Sequence, residues 1–90
     1  MAEAGFRVTG LVQGVGFRWW VRAQAAKLGL AGTVRNATDG SVEVQARGSE
    51  HALAELERLL SEGPLHAQVR AVDRIPVALP SSVDGFEIVR

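Results

Sequence analysis

A two-layer α+β domain, with an antiparallel sheet covered on one face by two helices, is predicted by three observations. The apolar spacing changes from a period of two to a period near 3.6 and back, twice over, giving the order βαββαβ. Asp39-Gly40 stands between the second and third strands as a strong hairpin signal. Each helix-like stretch is closed by a glycine, Gly29 and Gly63. Together these describe a split-βαβ, ferredoxin-like sandwich, because a half-apolar sheet needs helices to cover one face. Ninety residues suffice for one domain, over residues 1–90, that buries roughly 60–65 per cent of its unfolded surface.

The first strand is read from Phe6, Val8, Gly10 and Val12 alternating with Arg7, Thr9, Leu11 and Gln13, over about 6–12. Beyond the turn at Gly14 and Gly16, Phe17, Val21, Ala25 and Leu28 share one helical face, with Arg18, Arg22 and Lys27 off it. Trp20 flanks that stripe and Trp19 points nearly opposite, so Trp20 is expected to be the more buried. Leu30–Asn36 is the second strand, and Ala37–Gly40 the turn. Ser41–Arg47 is the third, with Val42, Val44 and Ala46 facing the core. Ser49 is a good N-cap, with Glu50 in the first turn of a helix whose apolar face is Leu53, Leu56, Leu59 and Leu60. A fourth strand covers about 67–77; its apolar phase slips between Val69 and Val72, which suggests a bulge. Phe86 and Ile88 mark a short terminal strand. The second sheet face carries Arg7, Thr9, Glu43, Gln45, Arg47 and Arg70, and is expected to be solvated.

Composition narrows the function. Ten basic and ten acidic residues balance, which argues against a nucleic-acid partner, since that would call for a basic stripe. The absence of cysteine removes disulfides, thiolate metal sites and cysteine nucleophiles. Met1-Ala2-Glu3-Ala4-Gly5 lacks the basic head and apolar run of a leader. No stretch approaches spanning length. A cytoplasmic chain without a membrane partner, expected to be a monomer, is the reading that follows. His51 and His66 belong to no cluster and are expected on the surface, so no metal site is predicted.

Two stretches carry chemistry. Gly10-Leu11-Val12-Gln13-Gly14-Val15-Gly16-Phe17-Arg18 takes a strand through a glycine turn into a helix with arginine in its first turn. Closely spaced glycines turn backbone N–H groups inward, and a helix start adds free donors and the positive end of its dipole. Arginine contributes a planar fork of donors that suits phosphate or carboxylate. The stretch is neither a dinucleotide fingerprint, because Trp19 stands where a third glycine is required, nor a Walker loop, because no Gly-Lys-Ser/Thr follows. Taken alone it is more often the ordinary turn of a strand–helix unit with a solvated arginine. The second stretch is Gly32-Thr33-Val34-Arg35-Asn36-Ala37-Thr38-Asp39-Gly40-Ser41-Val42. Asn36 shares the strand phase of Val34, which faces the helices, so its amide is brought to the side where the first helix starts, near Arg18. Such an amide can orient a water molecule.

In these two stretches, in their order and separation, the chain closely resembles the acylphosphatase family, and the resemblance extends over essentially all of it. It implies hydrolysis of a carboxylic–phosphoric mixed anhydride to carboxylate and inorganic phosphate. Carried over to this sequence, Arg18 resembles the catalytic phosphate-binding arginine and Asn36 the residue that positions the attacking water. The backbone of Gln13, Gly14, Val15, Gly16, Phe17 and Arg18 resembles the phosphate cradle. The partners implied are a small acyl phosphate and inorganic phosphate, with no cofactor. Thr33 departs from the aromatic residue usual in the family, with an expected cost in packing and in access near the site. Two rivals share the fold. An RNA-recognition module needs stacking aromatics on its central strands, where Phe6 alone stands, in core phase. A carbamoyl-transfer domain of the same type normally belongs to a much larger chain than this one.

Overall fold

The computed structural model describes residues 1–89, as five strands and two helices. In chain order these are β1 (Ala2–Leu11), α1 (Phe17–Lys27), β2 (Ala31–Asn36), β3 (Val42–Gly48), α2 (Glu50–Glu62), β4 (Gln68–Ile75) and β5 (Phe86–Ile88). The sheet order is β4-β1-β3-β2-β5. β1, β3, β2 and β4 are joined by antiparallel ladders, whereas β5 lies parallel to β2. The fold is therefore the expected α+β sandwich, with a mixed rather than wholly antiparallel sheet.

The parallel edge follows from where β4 ends. β4 occupies the outer edge beside β1, and its last residue, Ile75, pairs with Gly5 near the start of β1. On the opposite side of the sheet β2, to which β5 is added as the edge, begins at that same end. A chain crossing there enters β5 in the direction of β2. Residues 76–85 make this crossing over the polar face. Arg47 Nη1 and Nη2 donate to the carbonyls of Val83 and Pro80 at 3.1 and 3.0 Å. Gln45 Nε2 donates to the Pro76 carbonyl, and Gln45 Oε1 accepts from Ala78 N–H. Gln45 and Arg47, expected to be solvated, instead hold the crossing. Gly5 makes room for it: a Cβ there would sit 2.8 Å from the Ile75 carbonyl and 2.9 Å from Gln45 Nε2.

The other face carries the core. Phe6, Val8, Val34, Val42, Val44 and Ala46 meet Phe17, Val21 and Ala25 of α1 and Leu53, Leu56 and Leu60 of α2. Each of these Val, Leu and Phe side chains, fully removed from water, contributes about 1.5–3 kcal/mol. No aromatic side chain stands on the polar face among the described residues, since Phe6 and Phe86 are buried in the core. Ser49 caps α2 as expected, its hydroxyl accepting from Ala52 N–H at 3.0 Å. β1 begins four residues earlier than the alternation indicated, because Ala2–Gly5 are held by the end of β3 (Ala2 opposite Gly48) rather than by strand propensity. The register with β4 shifts between Thr9 and Gly10, leaving Arg70 unpaired as the bulge that the phase slip indicated. No helix among the described residues is long and apolar enough to cross a membrane.

Candidate active site

Both chemistry-bearing stretches lie at the end of the sheet opposite the crossing, where β1 hands over to α1 and β2 turns into β3. Val12 and Phe17, each 1% exposed, pin the two ends of the connecting loop into the core. Between them Gly14 and Gly16 take left-handed conformations, at φ 77° and 76°. Nothing lies within 4 Å of a Cβ built on either, so it is the backbone angle and not lack of space that calls for glycine. No backbone carbonyl among the described residues accepts from the N–H groups of Gly14 to Trp19, and no side chain caps α1. The first turn of α1 contains no acidic residue, and its first internal bond is Trp20 N–H to the Gly16 carbonyl. A helix start with free donors and no local carboxylate attracts an anion through both its N–H groups and its dipole.

Arg18 stands in that first turn, partly exposed, beside the buried Phe17. Arg7, Arg22, Arg35, Arg47, Arg58 and Arg74 each bond a carboxylate or a carbonyl. Arg18 forms no ion pair or side-chain hydrogen bond with any described residue, which leaves its donors for a ligand. Trp20 packs against Phe17 at 5.5 Å between ring centroids, whereas Trp19 is 65% exposed, the order expected of the two.

Asn36 ends β2 opposite Val42, two residues beyond the fully buried Val34 and in its phase. Its Oδ1 is buried and has no hydrogen-bond partner among the described residues. A buried acceptor left unsatisfied costs about 1–3 kcal/mol; one donor, such as a water molecule, removes that cost. The adjoining turn is tightly made. Asp39 Oδ1 accepts from Ser41 Oγ at 2.6 Å and from Ser41 N–H at 3.0 Å. These bonds, that from the hydroxyl first, hold the Asp39 carboxyl below its ordinary range.

One contact was not foreseen in the sequence. Gln13, expected to serve the cradle through its backbone, also sends its side chain to the hairpin. Its Nε2 donates to the Ala37 and Ser41 carbonyls, both at 2.8 Å. The amide thereby ties the glycine loop to the turn beside Asn36. A signal existed, since a long amide directly before a glycine turn can span to a neighbouring backbone, but its acceptors lie 24 and 28 residues away. Thr33 falls on the polar face, where it lines a 210 Å³ hollow with Arg35, Glu43, Gln45 and Ala78. It is thus on the other side of the sheet from Asn36, and the expected effect on access to the site does not follow. His51 and His66 are exposed, as expected. A concavity of about 500 Å³ opens beside Thr9, Leu11, Ser41 and Arg70, and none of Gly14 to Arg18 lines it. Gly14 to Arg18 and Asn36 line neither this concavity nor the hollow beside Thr33.

The sequence profile of the acylphosphatase family matches residues 4–88. An acylphosphatase of Xanthomonas oryzae pv. oryzae is 52% identical over 84 residues, 93% of this chain and 96% of its own. The crystal structure of the acylphosphatase from Bacillus subtilis superposes over the full length of both chains with a TM-score of 0.92 at 36% identity. Full-length HypF in its phosphate- and nucleotide-bound form aligns with a TM-score of 0.77 at 28% identity, over 99% of this chain and 12% of that one.

Proposed function

The chain belongs to the acylphosphatase family, and from that premise we propose that the glycine loop, Arg18 and Asn36 form a site that hydrolyses acyl phosphates by in-line attack of water on phosphorus. The observation that carries the reading is a complementarity: free N–H groups and an unpaired guanidinium on one side, a buried acceptor without a donor on the other. The first set suits the phosphoryl oxygens and the second suits a water molecule.

In this mechanism the N–H groups of the Gln13–Arg18 loop and the fork of Arg18 hold the phosphoryl oxygens. Asn36 Oδ1 accepts one water hydrogen and turns a lone pair of that water toward phosphorus. As the new P–O bond forms, the P–O bond to the acyl group breaks and its electron pair leaves with the carboxylate. The water proton passes to a phosphoryl oxygen, giving inorganic phosphate. A carboxylate leaving group, whose conjugate acid has a pKa of roughly 4, departs without a proton from the enzyme. The protein's work is thus positioning and charge stabilisation, with no metal or cofactor called for. The likeness to HypF, lower in both identity and TM-score, does not displace this reading. The chain is taken to act as a cytoplasmic monomer.

The test is release of inorganic phosphate from benzoyl phosphate and from acetyl phosphate by the purified chain. Hydrolysis that is inhibited competitively by inorganic phosphate is expected. Absence of hydrolysis with both substrates refutes the proposal.

A further inference from the structure

We infer that Gln13 is a positioning residue, whose side-chain amide sets the placement of Asn36 relative to the anion cradle. The inference rests on the reading just given, in which phosphorus is held by the loop and the water by Asn36. These two halves come from separate elements, the β1–α1 loop and the end of β2. In-line attack requires both on one axis, so something must fix one half against the other.

The Gln13 amide is placed to do so. Its two hydrogens go to two carbonyls on opposite arms of the β2–β3 turn, Ala37 and Ser41. The arms are already joined by Ala37 N–H to the Ser41 carbonyl at 2.8 Å. Ala37 directly follows Asn36, so the clamp acts one residue from the amide that meets the water. No other side-chain hydrogen bond joins residues 12–18 to residues 36–41 among the described residues. Nor can Asp39 take its place, because that carboxylate is occupied within the turn by Ser41. The Gln13 side chain is directed at the hairpin, where the Ala37 and Ser41 carbonyls take up its donors. Its loss should therefore disturb the alignment of water and phosphorus while leaving the phosphate donors in place.

A double-mutant cycle on benzoyl phosphate hydrolysis tests this. Gln13→Met keeps the length of the side chain and removes both donors. It should lower kcat about 10²-fold, the scale of a misplacement near 1 Å, with inhibition by inorganic phosphate kept within about threefold. In an Asn36→Ala background the same change should alter kcat by less than about threefold, because the group it positions is gone. An equal loss in both backgrounds overturns the inference, as does phosphate inhibition that weakens in step with kcat. If Gln13→Met does not fold, Gln13→Glu gives the same comparison within one chain. An ionised carboxylate faces two carbonyl oxygens and cannot clamp them, whereas the protonated acid donates once. The kcat of Gln13→Glu should rise as pH falls, where the parent's does not; a pH profile parallel to the parent's overturns the inference. If Asn36→Ala alone leaves kcat unchanged, the water-positioning reading fails and the clamp with it. A slow Asn36→Ala with an additive Gln13→Met refutes the clamp alone.

Discussion

Replacing Asn36 by alanine separates chemistry from stability in one measurement. Asn36 Oδ1 is buried with no partner among the described residues. If a water meets it, the hydrogen bond exchanged on folding is nearly balanced; if none does, the native state carries about 1–3 kcal/mol of unsatisfied polarity. Removing the amide therefore ranges from neutral to stabilising. The change in packing is small, since Asn36 is only partly buried and the core contact of that phase is made by Val34. For a chain of this length 1 kcal/mol corresponds to about 4–8 °C in Tm. Asn36→Ala should thus melt at the parent's Tm if a water meets the amide, or about 4–24 °C above it if none does, while kcat falls about 10²- to 10³-fold, the scale set by removal of one oriented polar group from a transition state. Inhibition by inorganic phosphate should be unchanged, because the proposed mechanism assigns the anion's donors to the loop and Arg18. Thermal melts, steady-state kinetics and phosphate inhibition on the same preparations decide it. A fall in Tm of about 10 °C or more (about 1–3 kcal/mol) accompanying the loss of activity would refute the reasoning, and would make Asn36 part of the hairpin's support.

Arg18→Lys should lose more than about 10²-fold in kcat, together with phosphate inhibition, because a point charge does not reproduce the planar fork; its Tm should hold, as Arg18 bonds no described residue, and near-parental activity would remove it as the anchor. Rates should be flat across neutral pH once the substrate's own ionisation is corrected for, with His51→Ala, His66→Ala and chelator-treated enzyme matching the parent; a limb near the ordinary histidine pKa of about 6.5 that disappears in a histidine variant would contradict this. Asp39 is held below its ordinary value of 3.8 by Ser41, so its contribution is present in full above that value and is lost as pH falls through the lower, folded-state value. Melts of Asp39→Asn should therefore be less acid-dependent than the parent's below about pH 4, and parallel curves would exclude the effect. Gly5→Ala should cost about 1–3 kcal/mol, since its methyl group meets the Ile75 carbonyl and Gln45 amide beneath the crossing. Activity measured below its Tm should be unaltered, the site being at the far end of the sheet.

Elements governed by neighbours in the chain were legible without the structure. The alternation around Phe6 and Val44, the helical stripe from Phe17 to Leu28, the Ser49 cap and the Asp39-Gly40 turn each depend on spacings of two to four residues, and each is found. The phase slip after Val69 located the bulge for the same reason. For the site, strand phase sufficed to bring Asn36 to the helix side and the glycine turn to deliver Arg18 at the start of α1.

What the sequence by itself determined is thus the order of elements, the side each strand turns to the core, and the residue types gathered at one end of the sheet. Periodicity and turn chemistry are local, and they fix direction without fixing distant partners. Only the tertiary structure decided the rest. It made strand of Ala2–Gly5 by pairing with β3, sent residues 76–85 across the polar face, and so laid β5 parallel to β2. It also aimed the Gln13 amide at the Ala37 and Ser41 carbonyls. Backbone carbonyls are the same at every position and carry no mark in a residue string, so which of them a side chain meets is settled only when the sheet closes.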